Sequence, residues 1–135
     1  MTGIKNILVA HGIRPSLHRL KVLEYVVAAK HHPTPEIIFQ DLTAAIPAIS
    51  RATVYNTLKL FLEKGLIIAL HLPGEETRYD YKNIPHAHFH CIQCGNLYDI
   101  KYRSSCMNMK KIGGHRVMDA QVCFSGICEN CLKKQ

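Results

Sequence analysis

Four cysteines stand as two Cys-x-x-Cys pairs, Cys91/Cys94 and Cys128/Cys131, and the run His86-Ala87-His88-Phe89-His90 comes directly before the first pair. Thiolates at i and i+3 of a short loop converge on one ion, and two such pairs complete a tetrahedron suited to Zn²⁺. Gly95 and Gly126 lie close by, where the chain has to turn. One Cys-x-x-Cys would also fit a thiol redox motif, whereas two in a small basic chain point to a structural zinc site. His86 and His88 alternate with Ala87, so an extended backbone would aim both imidazoles to one face, and His90 continues that alternation. His31 and His32 stand ahead of Pro33 at the end of a helical pattern, as surface residues or as a ligand contributed from another part of the fold. Cys106 and Cys123 fall outside both pairs and read as small thiols without a role.

These side chains need elements to carry them. At 135 residues and 47% hydrophobic the chain can bury a core, but two subdomains would each be small enough to benefit from a structural metal. There is no apolar run of membrane-spanning length and no signal-peptide pattern, so the expectation is a soluble, cytoplasmic chain with reduced thiols and no membrane partner. Leu20, Leu23 and Val27 predict a helix within Ser16 to Ala29, capped by Ser16. A second helix is expected from Pro35 through Ile38, Phe39 and Leu42, ending before Pro47. A third starts at the N-cap Ser50, carries Val54, Leu58, Phe61 and Leu62 on one face, and closes at Gly65. The runs 66–72 and 77–81, separated by Pro73-Gly74, predict a hairpin. Beyond it the pattern gives strands near 89–93 and 97–102, a helix within 104–112 and a strand near 117–124.

A hairpin placed directly after a helix-turn-helix is a wing, so the fold class expected is α+β, an N-terminal winged helix followed by a small α/β domain. The boundaries expected are 1–82 for the DNA-binding domain, 83–87 for a hinge around Asn83-Ile84-Pro85, and 88–135 for the zinc-binding domain, which the family resemblance set out below also makes the dimerisation domain. Opposite the apolar stripe of the third helix stand Ala52, Tyr55, Asn56 and Lys59, flanked by Arg51 and Thr53, a set suited to reading a major groove or else an ordinary solvated face. A net charge of +7 suits a polyanion such as double-stranded DNA. Residues 1–84 hold ten basic and seven acidic residues and 85–135 hold seven and three, so charge alone does not locate the DNA-facing half.

Taken together, several strings resemble the ferric uptake regulator superfamily, in order and over nearly the whole chain. They are His32-Pro33-Thr34-Pro35-Glu36, the stretch from Ile49 to Leu58, Glu63-Lys64-Gly65-Leu66-Ile67, Arg78-Tyr79-Asp80, His86-x-His88-x-x-Cys91-x-x-Cys94-Gly95 and Gly126-x-Cys128-x-x-Cys131. The resemblance implies a homodimeric, metal-dependent repressor that binds a DNA operator and is not an enzyme. It implies a regulatory site built from His32, Asp80, His86, His88 and Asp99, each a competent ligand. Asp80 and Asn56 resemble the peroxide-sensing branch rather than iron-uptake members, and Pro85, Ala87, Cys106 and Asp119 could not rebuild the additional site usual in the latter. Three imidazoles and two carboxylates make a hard N/O set that suits Fe²⁺ or Mn²⁺. The resemblance further implies that peroxide reacting at bound Fe²⁺ oxidises His32 or His86 and releases DNA.

Other readings lead elsewhere. An iron- or zinc-uptake regulator would share the fold and answer to metal supply instead of peroxide. A Cys-x-x-Cys redox enzyme would require a thioredoxin-like βαβ setting, which the expected order of elements lacks. A zinc hydrolase would require a motif such as His-Glu-x-x-His, absent here, and an RNA-binding zinc ribbon would leave the wing, Asp80 and Asp99 without a role.

Overall fold

Helix starts in the first part of the chain are set by their capping residues. The computed structural model describes residues 2–29, 32–72, 74–81, 87–102, 105–118 and 120–134. Contacts divide the chain into two compact units, Met1–Lys82 and Asn83–Gln135.

In the first unit, α1 (Thr2–Ala10), α2 (Leu17–Ala28), α3 (Pro35–Ala45) and α4 (Arg51–Glu63) precede a hairpin of β1 (Ile67–Leu70) and β2 (Arg78–Tyr81). The side chains of Ser16, Thr34 and Ser50 accept from Arg19 N, Ile37 N and Thr53 N, satisfying donors that a helix start leaves open. Helix α4 ends in a left-handed glycine, Gly65 at φ +74, with Gly65 N donating to Leu62 O and Leu66 N to Phe61 O, which turns the chain into β1. Leu23, Val26, Ile38, Val54, Leu58, Phe61 and Leu66 form the centre of the core. Complete burial of each large side chain there is worth about 1.5–3 kcal/mol.

Two details depart from the sequence reading. Helix α1 was not expected; Ile4, Ile7 and Leu8 pack inward and Gly12, at φ +71, closes it as Gly65 closes α4. The buried face of α2 is Val22, Leu23 and Val26, while Val27 is exposed, because apolar residues there extend round more than one face and spacing alone did not fix the phase.

The second unit is a three-stranded sheet of order β4-β3-β7, from β3 (Ala87–Cys91), β4 (Leu97–Ile100) and β7 (Cys123–Gly126), with a small hairpin of β5 (Lys111–Ile112) and β6 (His115–Arg116) and a short helix α5 (Glu129–Lys133). β3 pairs antiparallel with β4 and parallel with β7. The helix expected within 104–112 is only a 3-10 turn, Ser105–Asn108, since Gly113-Gly114 draws Lys111 and Ile112 into a hairpin. The last strand lies later than expected, and α5 was not foreseen. Of the expected hinge, 83–86 lie outside the described residues and Ala87 is the first residue of β3.

Candidate metal centres and a candidate DNA-reading helix

The parallel pairing of β3 and β7 sets Cys91 opposite Gly126, so both cysteine loops leave the sheet at one end. Gly126 leaves room for the Phe89 ring; a Cβ there would come within 3.3 Å of it. The first loop turns through Gly95 at φ +79, with Gly95 N donating to Cys91 O at 2.9 Å. In the second, Cys128 is itself the N-cap of α5, its sulfur accepting from Cys131 N. Cys91 Sγ lies 3.8 Å from Cys131 Sγ and Cys94 Sγ lies 3.8 Å from Cys128 Sγ. A Zn–S bond of about 2.3 Å gives a tetrahedron whose edges are about 3.8 Å, so these two separations match two opposite edges of a zinc tetrahedron. Among the described residues the four ligand atoms all lie within 4.8 Å of one another.

Backbone amides prepare this tetrad for charge. Cys94 N and Cys128 N each donate to Cys91 Sγ at 3.4 Å. These donors, that of Cys94 foremost, bring the Cys91 thiol down to about 6. The Tyr98 hydroxyl lowers Cys128, and its own ionisation is pushed up in return. Burial and then the neighbouring sulfurs push Cys131 up to about 12. Without a cation Cys131 therefore stays a thiol at neutral pH, and zinc taken up here would displace its proton.

Among the described residues two His–carboxylate pairs stand elsewhere, one in each unit. In the second unit the register of the β3–β4 hairpin places His88 opposite Asp99, with His88 Nε2 3.4 Å from Asp99 Oδ1. His88 is buried, and Asp99 is 55% exposed in its side chain. In the first unit His32 Nε2 lies 3.4 Å from Asp80 Oδ2, both side chains well covered. Tyr79 N donates to Pro33 O at 2.9 Å, tying the chain after α2 to the wing strand β2 and bringing residue 32 alongside residue 80. His32 adopts φ +52, the one non-glycine residue with positive φ among those described, and it precedes a proline. Such a backbone costs about 1–3 kcal/mol and persists where its surroundings impose it. Cis ligands at about 2.1 Å from a metal are roughly 3.0–3.5 Å apart, so either pair could supply one nitrogen and one oxygen to an ion. His86 lies outside the described residues. His90 is half-buried in β3 and is not gathered with either group.

On α4, Arg51, Ala52, Tyr55, Asn56 and Lys59 are exposed, Tyr55 at 48%. Thr53 is half-buried and its hydroxyl hydrogen-bonds to Ser50 at 2.9 Å, so it belongs to the cap rather than to the outward face. Arg51 donates to Glu36 on α3, a partner that sequence spacing did not reveal.

A winged helix followed by a cysteine-lined metal site on a small sheet defines a metal-dependent transcription regulator. The chain belongs to the ferric uptake regulator family, whose model matches residues 10–123. It is 32% identical over 128 residues to the peroxide operon regulator of Bacillus subtilis strain 168, covering 92% of this chain and 88% of that protein. It is 31% identical over 127 residues to the peroxide-responsive repressor PerR of Staphylococcus aureus strain Mu50, covering 91% and 85%. The crystal structure of the Campylobacter jejuni peroxide stress regulator superposes with a TM-score of 0.71 at 25% identity, over 96% of this chain and 97% of that one. No helix among the described residues is long and apolar enough to cross a membrane.

Proposed function

We propose that this protein is a peroxide-responsive repressor, a homodimer that holds operator DNA through the exposed face of α4 while a regulatory Fe²⁺ or Mn²⁺ is bound. The observation that carries the reading is the matched His–Asp pair in each unit, each with its ligand atoms 3.4 Å apart. One imidazole and one carboxylate make half of a hard ligand set. The two halves, with His86 as a fifth donor, would complete the N/O environment that Fe²⁺ and Mn²⁺ favour. The Cys91, Cys94, Cys128 and Cys131 tetrad would hold structural Zn²⁺ in every state. A single ion shared by His32 and Asp80 on one side of residues 83–87 and by His88 and Asp99 on the other would fix the two units. In a two-fold dimer it would thereby set the separation of the two α4 helices against half-sites on DNA.

Bound Fe²⁺ would supply the electron transfer that activates hydrogen peroxide beside its ligands. The net change on the protein is replacement of one imidazole carbon–hydrogen bond by a carbon–oxygen bond, peroxide being reduced to water with two electrons from the ring. His32 and His86 are the imidazoles proposed to react. An oxidised ring would be a poorer donor, which would weaken the hold of the remaining His and Asp side chains on the regulatory ion and with it DNA binding. Titration of operator binding against metal separates this reading from an iron- or zinc-uptake regulator. The decisive experiment is mass spectrometry after anaerobic Fe²⁺ loading and a small peroxide dose, with Mn²⁺-loaded protein as control. The tryptic peptides 31–51 and 83–101 separate His32 from His86. One added oxygen on either, dependent on iron and accompanied by loss of DNA binding, is expected; unmodified histidines in an iron-activated, DNA-binding protein would overturn the peroxide reading.

A further inference from the structure

Arg51 opens α4 with its side chain 64% exposed, yet its guanidinium is held on two sides. Nε donates to Glu36 Oε1 and Oε2 at 3.3 and 3.1 Å, and Nη2 donates to Oε1 at 2.9 Å. The same group lies over the Phe39 ring, 4.6 Å from its centroid. Gln40 hydrogen-bonds the Glu36 carboxylate in turn, and Arg51 and Gln40 together hold that carboxyl below its usual range, Arg51 more strongly. An exposed ion pair is screened by water and adds little to stability, so stabilisation is a poor account of such a complete arrangement. Its stronger effect is to remove the rotamer freedom of a long, planar donor before any partner arrives.

Glu36 occupies the Nε/Nη2 edge. The end-on fork, formed by Nη1 and the second N–H of Nη2, points away from that contact on a side chain that is 64% exposed. A phosphate contact gains from charge and reach and requires little orientation, and the charge of Arg51 is already countered by Glu36. A planar fork of fixed direction instead matches the paired O6 and N7 acceptors of guanine in a major groove. Tyr55, four residues further along the same row of α4, is 48% exposed beside Arg51. We infer that Arg51 is a specificity-determining residue that reads one guanine per half-site through its end-on fork, with Glu36 and Phe39 as the positioning residues that hold it. The inference rests on the proposed DNA-reading role of α4.

The test is selection from a randomised duplex DNA library by full-length, metal-loaded wild type, Arg51→Ala, Arg51→Lys and Glu36→Gln, followed by binding titrations over a range of salt. The probe is the wild-type consensus and its single-base variants. Expected is a guanine in the wild-type consensus whose replacement weakens wild-type binding about 5- to 150-fold and leaves Arg51→Ala almost indifferent at that position alone. Arg51→Lys, keeping the charge without the fork, should lose the same preference. Glu36→Gln should discriminate less at that base while binding unrelated DNA more tightly and with a steeper salt dependence, because a released Arg51 then meets phosphate. Uniform weakening of Arg51→Ala on every sequence, with the salt slope reduced by about one, would make Arg51 a phosphate contact and overturn the inference. An unchanged consensus in Arg51→Ala would overturn it as well. If wild type itself selects no sequence, the DNA-reading role of α4 fails, and the proposal with it.

Discussion

The cysteine tetrad and the His–Asp pairs solve different problems with the same economy of ligands. The tetrad is closed within one unit, drawn from two loops that leave one sheet side by side, and two of its sulfur separations already match a zinc tetrahedron. The His–Asp pairs are separate, one in each unit. A soft, closed, amide-supported site is built to keep its ion. A hard His–Asp pair in each unit suits an ion that is exchanged rather than kept, as the proposed regulation requires.

The sharpest way to break that contrast is to open the tetrad. Cys91→Ser should lose stoichiometric zinc and with it much of the roughly 10–16 kcal/mol that a structural zinc contributes near neutral pH. Metal analysis and thermal unfolding should therefore report a second unit that no longer melts cooperatively. A variant that kept one zinc per chain and an unchanged melting curve would remove the structural role. A smaller effect is expected from the His–Asp pairs: Asp80→Ala or Asp99→Ala should weaken regulatory metal binding by at least about 10- to 100-fold while zinc content stays constant. Equal metal activation of DNA binding in wild type and both variants would show that the pairs are ordinary ion pairs. The smallest effect lies away from both metals. Gly65→Ala has open space around it but a left-handed backbone, so about 1–2 kcal/mol of stability should be lost from the first unit with neither metal affected. Unchanged denaturant unfolding would mean that the α4–β1 turn tolerates an L-residue without strain.

Legibility in the sequence followed the range of the interactions concerned. Ser16, Ser50 and Gly65 are local signals, and the helix starts and stops they imply are where the structure puts them. Helix α1 had comparable signals in Ile4, Ile7, Leu8 and Gly12, and they were there to be read. The cysteine pairs were legible because each depends on an i,i+3 loop. His88 opposite Asp99 depends on hairpin register, and His32 beside Asp80 depends on a positive φ and on the Tyr79–Pro33 hydrogen bond; neither pairing follows from spacing, which singled out the histidines, while Asp80 and Asp99 came from family resemblance. The parallel β3–β7 pairing joins positions more than thirty residues apart, so the last strand was placed too early and α5 went unseen. Glu36 and Arg51, fifteen positions apart, meet only once the α3–α4 turn has formed.

That same parallel pairing has a consequence for how the molecule is made. The first unit has every residue of its core once Tyr81 has emerged from the ribosome, whereas the sulfur set closes only after Cys131 follows. At about 5–20 residues per second, the fifty residues between them take roughly 3–10 s. For the later part of that interval, once Cys94 has followed, a chain already carrying a finished α4 trails two reduced cysteines, Cys91 and Cys94, whose partners do not yet exist. Newly synthesised protein should therefore be most open to oxidants and to the wrong metal during its own translation, before it ever meets an operator.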